Sequence, residues 1–119
     1  MNDKRKVLII DDEIDLGQLL KGYFSRNNFE VYVYQNLHEG FAIIKTLCPD
    51  ILFIDNNFPE GNGWESVPQL AKDYPSLHIV FISAFNSVPP EMPKNAKYSI
   101  IEKPIRHKDL DKYLAVQAL

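Results

Sequence analysis

A chain of 119 residues, with 45% hydrophobic and 24% charged side chains, is sized for one globular domain that buries roughly two-thirds of its unfolded surface. Its net charge of −3 argues against a basic nucleic-acid or anionic-membrane surface, and a lone cysteine, Cys48, cannot staple the fold, which suits a reducing compartment. There is no N-terminal apolar leader and no apolar run near the ~18 residues of a membrane span, so the chain reads as soluble and cytoplasmic.

The elements alternate along the chain. Residues 7–10 (VLII) form a short, β-branched apolar run and predict a first strand. Leu16, Leu19, Leu20, Tyr23 and Phe24 then recur at helical spacing. Residues 31–34 (VYVY) read as a second strand, and Leu37, Phe41, Ile44 and Cys48 as a second helical stripe in which Cys48 is a small packing residue. Residues 51–54 (ILFI) predict a buried third strand. Trp64, Val67, Leu70, Ala71 and Tyr74 predict a third helix with Pro68 near its start. Residues 78–82 and 98–101 supply a fourth and a fifth strand, and Leu110, Tyr113 and Leu114 a last helix. Pro89, Pro90 and Pro93 remove donors and push their neighbours toward extended geometry. The helix expected between strands four and five is therefore shortened or replaced by a Pro-rich loop.

Short strands apolar on both faces, alternating with amphipathic helices, predict an α/β, doubly wound, five-stranded parallel sheet covered on both sides. No internal repeat or linker divides residues 1–119, which read as one domain. In such folds ligands bind beyond the carboxyl ends of the strands. Strand one ends in Asp11, Asp12 and Glu13, strand three in Asp55, strand four in Ser83, and strand five in Glu102, Lys103 and Pro104. Taken singly, an Asp could cap a helix, Asp55 could start a turn, Ser83 could be a loop hydroxyl and Lys103 a solvated cation. Their joint placement at one sheet edge points elsewhere. Closely spaced carboxylates call for a cation, and Mg²⁺ suits one or two of them with phosphate oxygens. Metal and lysine together would neutralise a transferring phosphoryl group, with a carboxylate as nucleophile.

VLIIDDE, PDILFIDNNFPEGNG, FISA and EKP, in this order, resemble the response-regulator receiver domain, the phosphoacceptor of two-component signalling. The resemblance covers essentially the whole chain. It implies a flavodoxin-like sheet of order 2-1-3-4-5, carried over from the family rather than read from the pattern. It also implies Asp55 as phosphoacceptor, Ser83 as switch hydroxyl and Lys103 as the phosphate-pairing cation. Asp12 would bind Mg²⁺ (or Mn²⁺) directly and Asp11 through water, with Asp55 and the main-chain carbonyl of Asn57 completing the set. Lys103–Pro104 would be a cis peptide, and Pro59 and Gly63 would shape the loop after the acceptor. Asn57 and Phe85 stand where the family tunes hydrolysis of the acyl phosphate. The implied partners are a sensor histidine kinase or histidine phosphotransfer protein and an unknown downstream protein; a homodimer is allowed, and neither nucleic acid nor membrane is expected. Such a protein catalyses its own phosphorylation and dephosphorylation rather than turning over a substrate. The chain would be a single receiver domain without an effector domain, stand-alone or cut from a longer protein.

Three departures from the family accompany this reading. The fourth helix is altered, Phe85 is bulky and apolar, and Ile100 replaces the usual aromatic residue or histidine three positions before Lys103. Tyr98 would share the face of Ile100 in a regular strand. His38, His78 and His107 fall outside the site positions and read as structural or solvated. Two other readings compete: a phosphorylation-independent interaction module on the same fold, and a flavin-binding or hydrolase domain. The latter would want a Ser/Thr/Gly-rich phosphate loop where DDE stands.

Overall fold

The computed structural model describes residues 4–84 and 87–117. Its elements run β1 (Lys6–Ile10), α1 (Ile14–Arg26), β2 (Glu30–Tyr34), α2 (Leu37–Leu47), β3 (Ile51–Asp55), β4 (Asn57–Phe58), β5 (Gly61–Asn62), α3 (Val67–Asp73), β6 (His78–Ser83), β7 (Lys97–Glu102) and α4 (His107–Gln117). The five long strands are all parallel and ordered β2-β1-β3-β6-β7, which is the expected 2-1-3-4-5 arrangement. A two-stranded antiparallel hairpin, β4–β5, follows β3. The sequence reading missed this hairpin.

Alternation along the strands divides the core in two. On one face Val7, Ile9, Phe53, Val80 and Ile82 pack with Leu20, Phe24 and Leu110 of α1 and α4. On the other, Leu8, Ile10, Leu52, Ile54 and Phe81 pack with Ile44 of α2, Val67 and Ala71 of α3, and Trp64. The sheet centre is thus sealed on both sides, as a parallel sheet requires.

Helix ends follow local chemistry. Asn36 caps α2, its side-chain oxygen accepting from the Glu39 N–H at 2.8 Å. Pro68 lies in the first turn of α3, where a missing N–H costs nothing. Cys48 ends α2 with φ 51°, left-handed and exposed. It is not the packing residue its spacing suggested, because the helix stops before the side chain can turn inward.

Coverage fails at β7. Among the described residues no helix separates β6 from β7. Met92 and Ala96 of the proline-bearing segment pack against the α2/α3 side of the core, but Tyr98 and Ile100 remain 46% and 48% exposed. The expectation of a sheet covered on both sides therefore holds for β1, β3 and β6, and not for this edge. No helix among the described residues is long and apolar enough to cross a membrane.

Candidate functional site

The carboxyl ends of β1, β3, β6 and β7 meet at one edge. Asp11 follows β1 directly, and its N–H donates to the Tyr34 carbonyl at 3.1 Å, prolonging the ladder by one step. It has no exposed surface. Its Oδ1 accepts the Glu13 N–H at 2.7 Å, while its buried Oδ2 has no hydrogen-bond partner. Asp55 is the last residue of β3, paired in register with Ile82 and only 4% exposed. Asp12 is exposed, yet carboxylate oxygens of Asp11, Asp12 and Asp55 lie within 4.8 Å of one another.

The chain leaving Asp55 is tightly tied. The Gly63 N–H donates to the Asn56 carbonyl at 2.7 Å, and the Trp64 indole N–H donates to the Ile54 carbonyl at 3.1 Å. A Cβ at Gly63 would collide with the Asp55 carbonyl oxygen and the Phe58 ring, so only glycine fits. Pro59 and Glu60 make the two-residue turn between β4 and β5, and Asn57 opens β4 with an exposed side chain. Sequence reasoning had no signal for Trp64 beyond its helical spacing.

Ser83 closes β6 and is 1% exposed, its hydroxyl donating to the Ala84 carbonyl at 2.9 Å. Lys103 continues the β6–β7 ladder, its N–H donating to the Ser83 carbonyl at 2.8 Å, and the Lys103–Pro104 peptide is cis, as expected. The Lys103 ammonium stands 3.5 Å from Asp55 Oδ2 and makes a closer ion pair with Glu13. Nothing in the sequence marks Glu13 beyond its place in the acidic run. Phe85 lies outside the described residues. His38 and His107 are exposed and His78 sits at the opposite end of β6, bonded to Ser99 at 3.0 Å, so none of the three joins the site.

Electrostatics follow from burial. Desolvation pushes the Asp11 carboxyl up to about 6, against the pull of the Glu13 N–H and with a further push from Asp55. Burial likewise raises Asp55, partly offset by the Asn56 N–H and Lys103. For Lys103 burial pulls downward, but Glu13, Asp55 and Asp11 together outweigh it and the ammonium is held above its ordinary range. An unpartnered buried carboxylate oxygen amid all-oxygen donors is the chemistry of a hard divalent cation site, and these residues fit one.

Fold and site together define a class: a flavodoxin-like doubly wound domain with carboxylates, a hydroxyl and a lysine gathered at the carboxyl edge of its sheet. The chain belongs to the response regulator receiver domain family, whose model matches residues 7–115. It is 31% identical over 112 residues to the transcriptional regulatory protein BtsR of Escherichia coli (strain K12), a match covering 92% of this chain and 46% of BtsR. The chain thus spans about half the length of that relative. A CheY-like receiver domain protein from Methanospirillum hungatei JF-1 has the same fold, with a TM-score of 0.82 at 20% identity over 97% of this chain and 94% of that one. So does the response regulator TrrA, solved in complex with the histidine kinase ThkA, with a TM-score of 0.77 at 20% identity over 94% of this chain and 97% of that match.

Proposed function

We propose that this chain is a phosphorylation switch in which Asp55 takes a phosphoryl group from a phosphohistidine of a partner histidine kinase or phosphotransfer protein. The observation that carries this reading is the placement of Asp55. It is a buried carboxylate at the end of a rigid strand, facing a lysine at 3.5 Å and beside two further acids. Burial strips the carboxylate of water, and the β3 ladder leaves it little freedom, so it is oriented before the donor arrives. A carboxylate oxygen of Asp55 attacks phosphorus, the new O–P bond forms as the P–N bond breaks, and the imidazole leaves with the electron pair and takes up a proton. Attack of water on phosphorus later returns the carboxylate and inorganic phosphate.

Mg²⁺ (or Mn²⁺), held by Asp11, Asp12, Asp55 and the Asn57 main-chain carbonyl, would neutralise charge on the phosphoryl oxygens. Lys103 pairs with one of those oxygens from the β7 side. Ser83 releases the Ala84 carbonyl and donates its hydroxyl to another. The phosphoryl group adds roughly −1.5 to −2 of charge and shifts the conformational equilibrium only through such differential contacts. Asn57 and Phe85 tune the access of water. Residues 1–119 form one receiver unit whose output is binding to a downstream protein. The family match and the kinase complex of TrrA support this partner class.

The test is intact mass after incubation with acetyl phosphate and Mg²⁺, alongside Asp55→Asn. A Mg²⁺-dependent gain of one phosphoryl group, lost in the variant and in EDTA, is expected. No adduct on the folded chain would favour a phosphorylation-independent interaction module.

A further inference from the structure

We propose that Glu13 is a competing counter-ion for Lys103, holding the phosphate-pairing ammonium until a phosphoryl group on Asp55 displaces it. The inference rests on Asp55 being the phosphoacceptor. Glu13 occupies the N-cap position of α1 and makes no side-chain bond to the first helical N–H groups. Its carboxylate instead reaches across the site to the Lys103 ammonium. The same ammonium also stands 3.5 Å from Asp55 Oδ2.

The two carboxylates that share Lys103 differ in freedom. Asp55 is buried and anchored in β3, whereas the Glu13 side chain is 56% exposed and can swing into water at little cost. An exposed pair of this kind is weakly held. The Lys103 backbone is fixed by its bond to the Ser83 carbonyl, so the ammonium changes partner by side-chain rotation alone. A phosphoryl group on Asp55 carries up to about two charges against the single charge of Glu13, and the lysine transfers to it. Until then Glu13 occupies the cation needed for phosphoryl transfer. Glu13 acts through Lys103 and is a positioning residue.

The experiment measures initial phosphorylation rates of the full chain by acetyl phosphate at saturating Mg²⁺, at low and high salt. It compares wild type, Glu13→Gln, Glu13→Asp, Lys103→Gln and the double variant Glu13→Gln/Lys103→Gln. Glu13→Gln is expected to react about two- to five-fold faster at low salt, the range set by an exposed ion pair, and to lose part of the salt dependence. Glu13→Asp keeps the charge and the wild-type salt response. In the Lys103→Gln background removal of Glu13 brings no further gain. An unchanged or slower rate for Glu13→Gln overturns the proposal. The same gain with Lys103 absent also overturns it, by assigning the effect to plain repulsion of the donor. A wild-type chain that takes up no phosphoryl group instead overturns the phosphoacceptor reading itself.

Discussion

Asp11 is a carboxylate with no exposed surface and one oxygen without a partner, and its proton affinity records that cost. Its pKa is about 6 in the fold against 3.8 ordinarily. Between those values the folded chain binds more protons than the unfolded one, so stability contributed at Asp11 is greatest below 3.8 and is lost as pH rises to about 6. A shift of this size corresponds to at most about 3 kcal/mol. Asp55 adds in the same sense. His78 opposes it: burial lowers its pKa, so its contribution is lost as pH falls below 6.5. A raw pH profile mixes these groups, and the difference between wild type and Asp11→Asn removes the shared ones. In EDTA, urea unfolding is expected to favour the Asn variant increasingly between pH 4 and about 6, then to level off. A pH-independent difference would mean that Asp11 titrates normally. Mg²⁺ should reverse the order by binding the folded wild type. Asp11 and Asp55 were legible in the sequence because a charged residue directly after an apolar run marks a strand end, and Lys103 because it stands in the Glu102-Lys103-Pro104 run that closes the fifth strand. The partner of Glu13 was not, since no spacing rule joins residues ninety positions apart.

At the scale of elements, the loop leaving β3 is part of the site and the cap of α2 is not, and two substitutions separate them. Gly63→Ala drives a methyl group into the Asp55 carbonyl and the Phe58 ring. It should cost about 1–3 kcal/mol as overpacking and also weaken Mg²⁺ binding and phosphorylation, since relief requires Asp55 to move. Asn36→Ala removes the bond to the Glu39 N–H and should cost about 1 kcal/mol while leaving phosphorylation unchanged. Chemical unfolding and acetyl-phosphate labelling of both variants check the contrast. Equal losses of activity would deny the loop its special part. The helices and long strands were legible from apolar periodicity, which tertiary packing reinforces. The β4–β5 hairpin was not: two residues per strand carry no periodicity, and Pro59, Glu60 and Gly61 read as generic loop. Cys48 misled for a related reason, because the helical stripe does not announce where its last turn ends.

Across the whole molecule, the lack of a helix between β6 and β7 among the described residues leaves an asymmetry that reaches from the site to the far edge of the sheet. The prolines made its absence legible, but burial depends on what lies opposite, and the sequence did not reveal that Tyr98 and Ile100 would stay open. The Lys103 N–H points to β6, so by alternation Ser99 and Ile101 also bond inward, while Tyr98, Ile100 and Glu102 direct their amides outward from the sheet edge. Among the described residues, segment 87–96 is held by two backbone bonds, Ser87 to Ala84 at 3.2 Å and Ala96 to Pro93 at 3.0 Å. This segment follows Ser83 by a few residues and packs Met92 against the core beneath the open face. In the proposed switch, a Ser83 hydroxyl drawn toward Asp55 gives up the Ala84 carbonyl and frees the start of the segment to rearrange. Amide exchange is therefore expected to be slow at Ser99 and Ile101, and fast at Tyr98, Ile100 and across 87–96 in the unmodified chain. Beryllofluoride with Mg²⁺ should slow exchange across 87–96 in the wild type and leave it unchanged in Asp55→Asn. Strong protection of the segment without the phosphoryl mimic would instead mean that it is already docked and does not carry the signal.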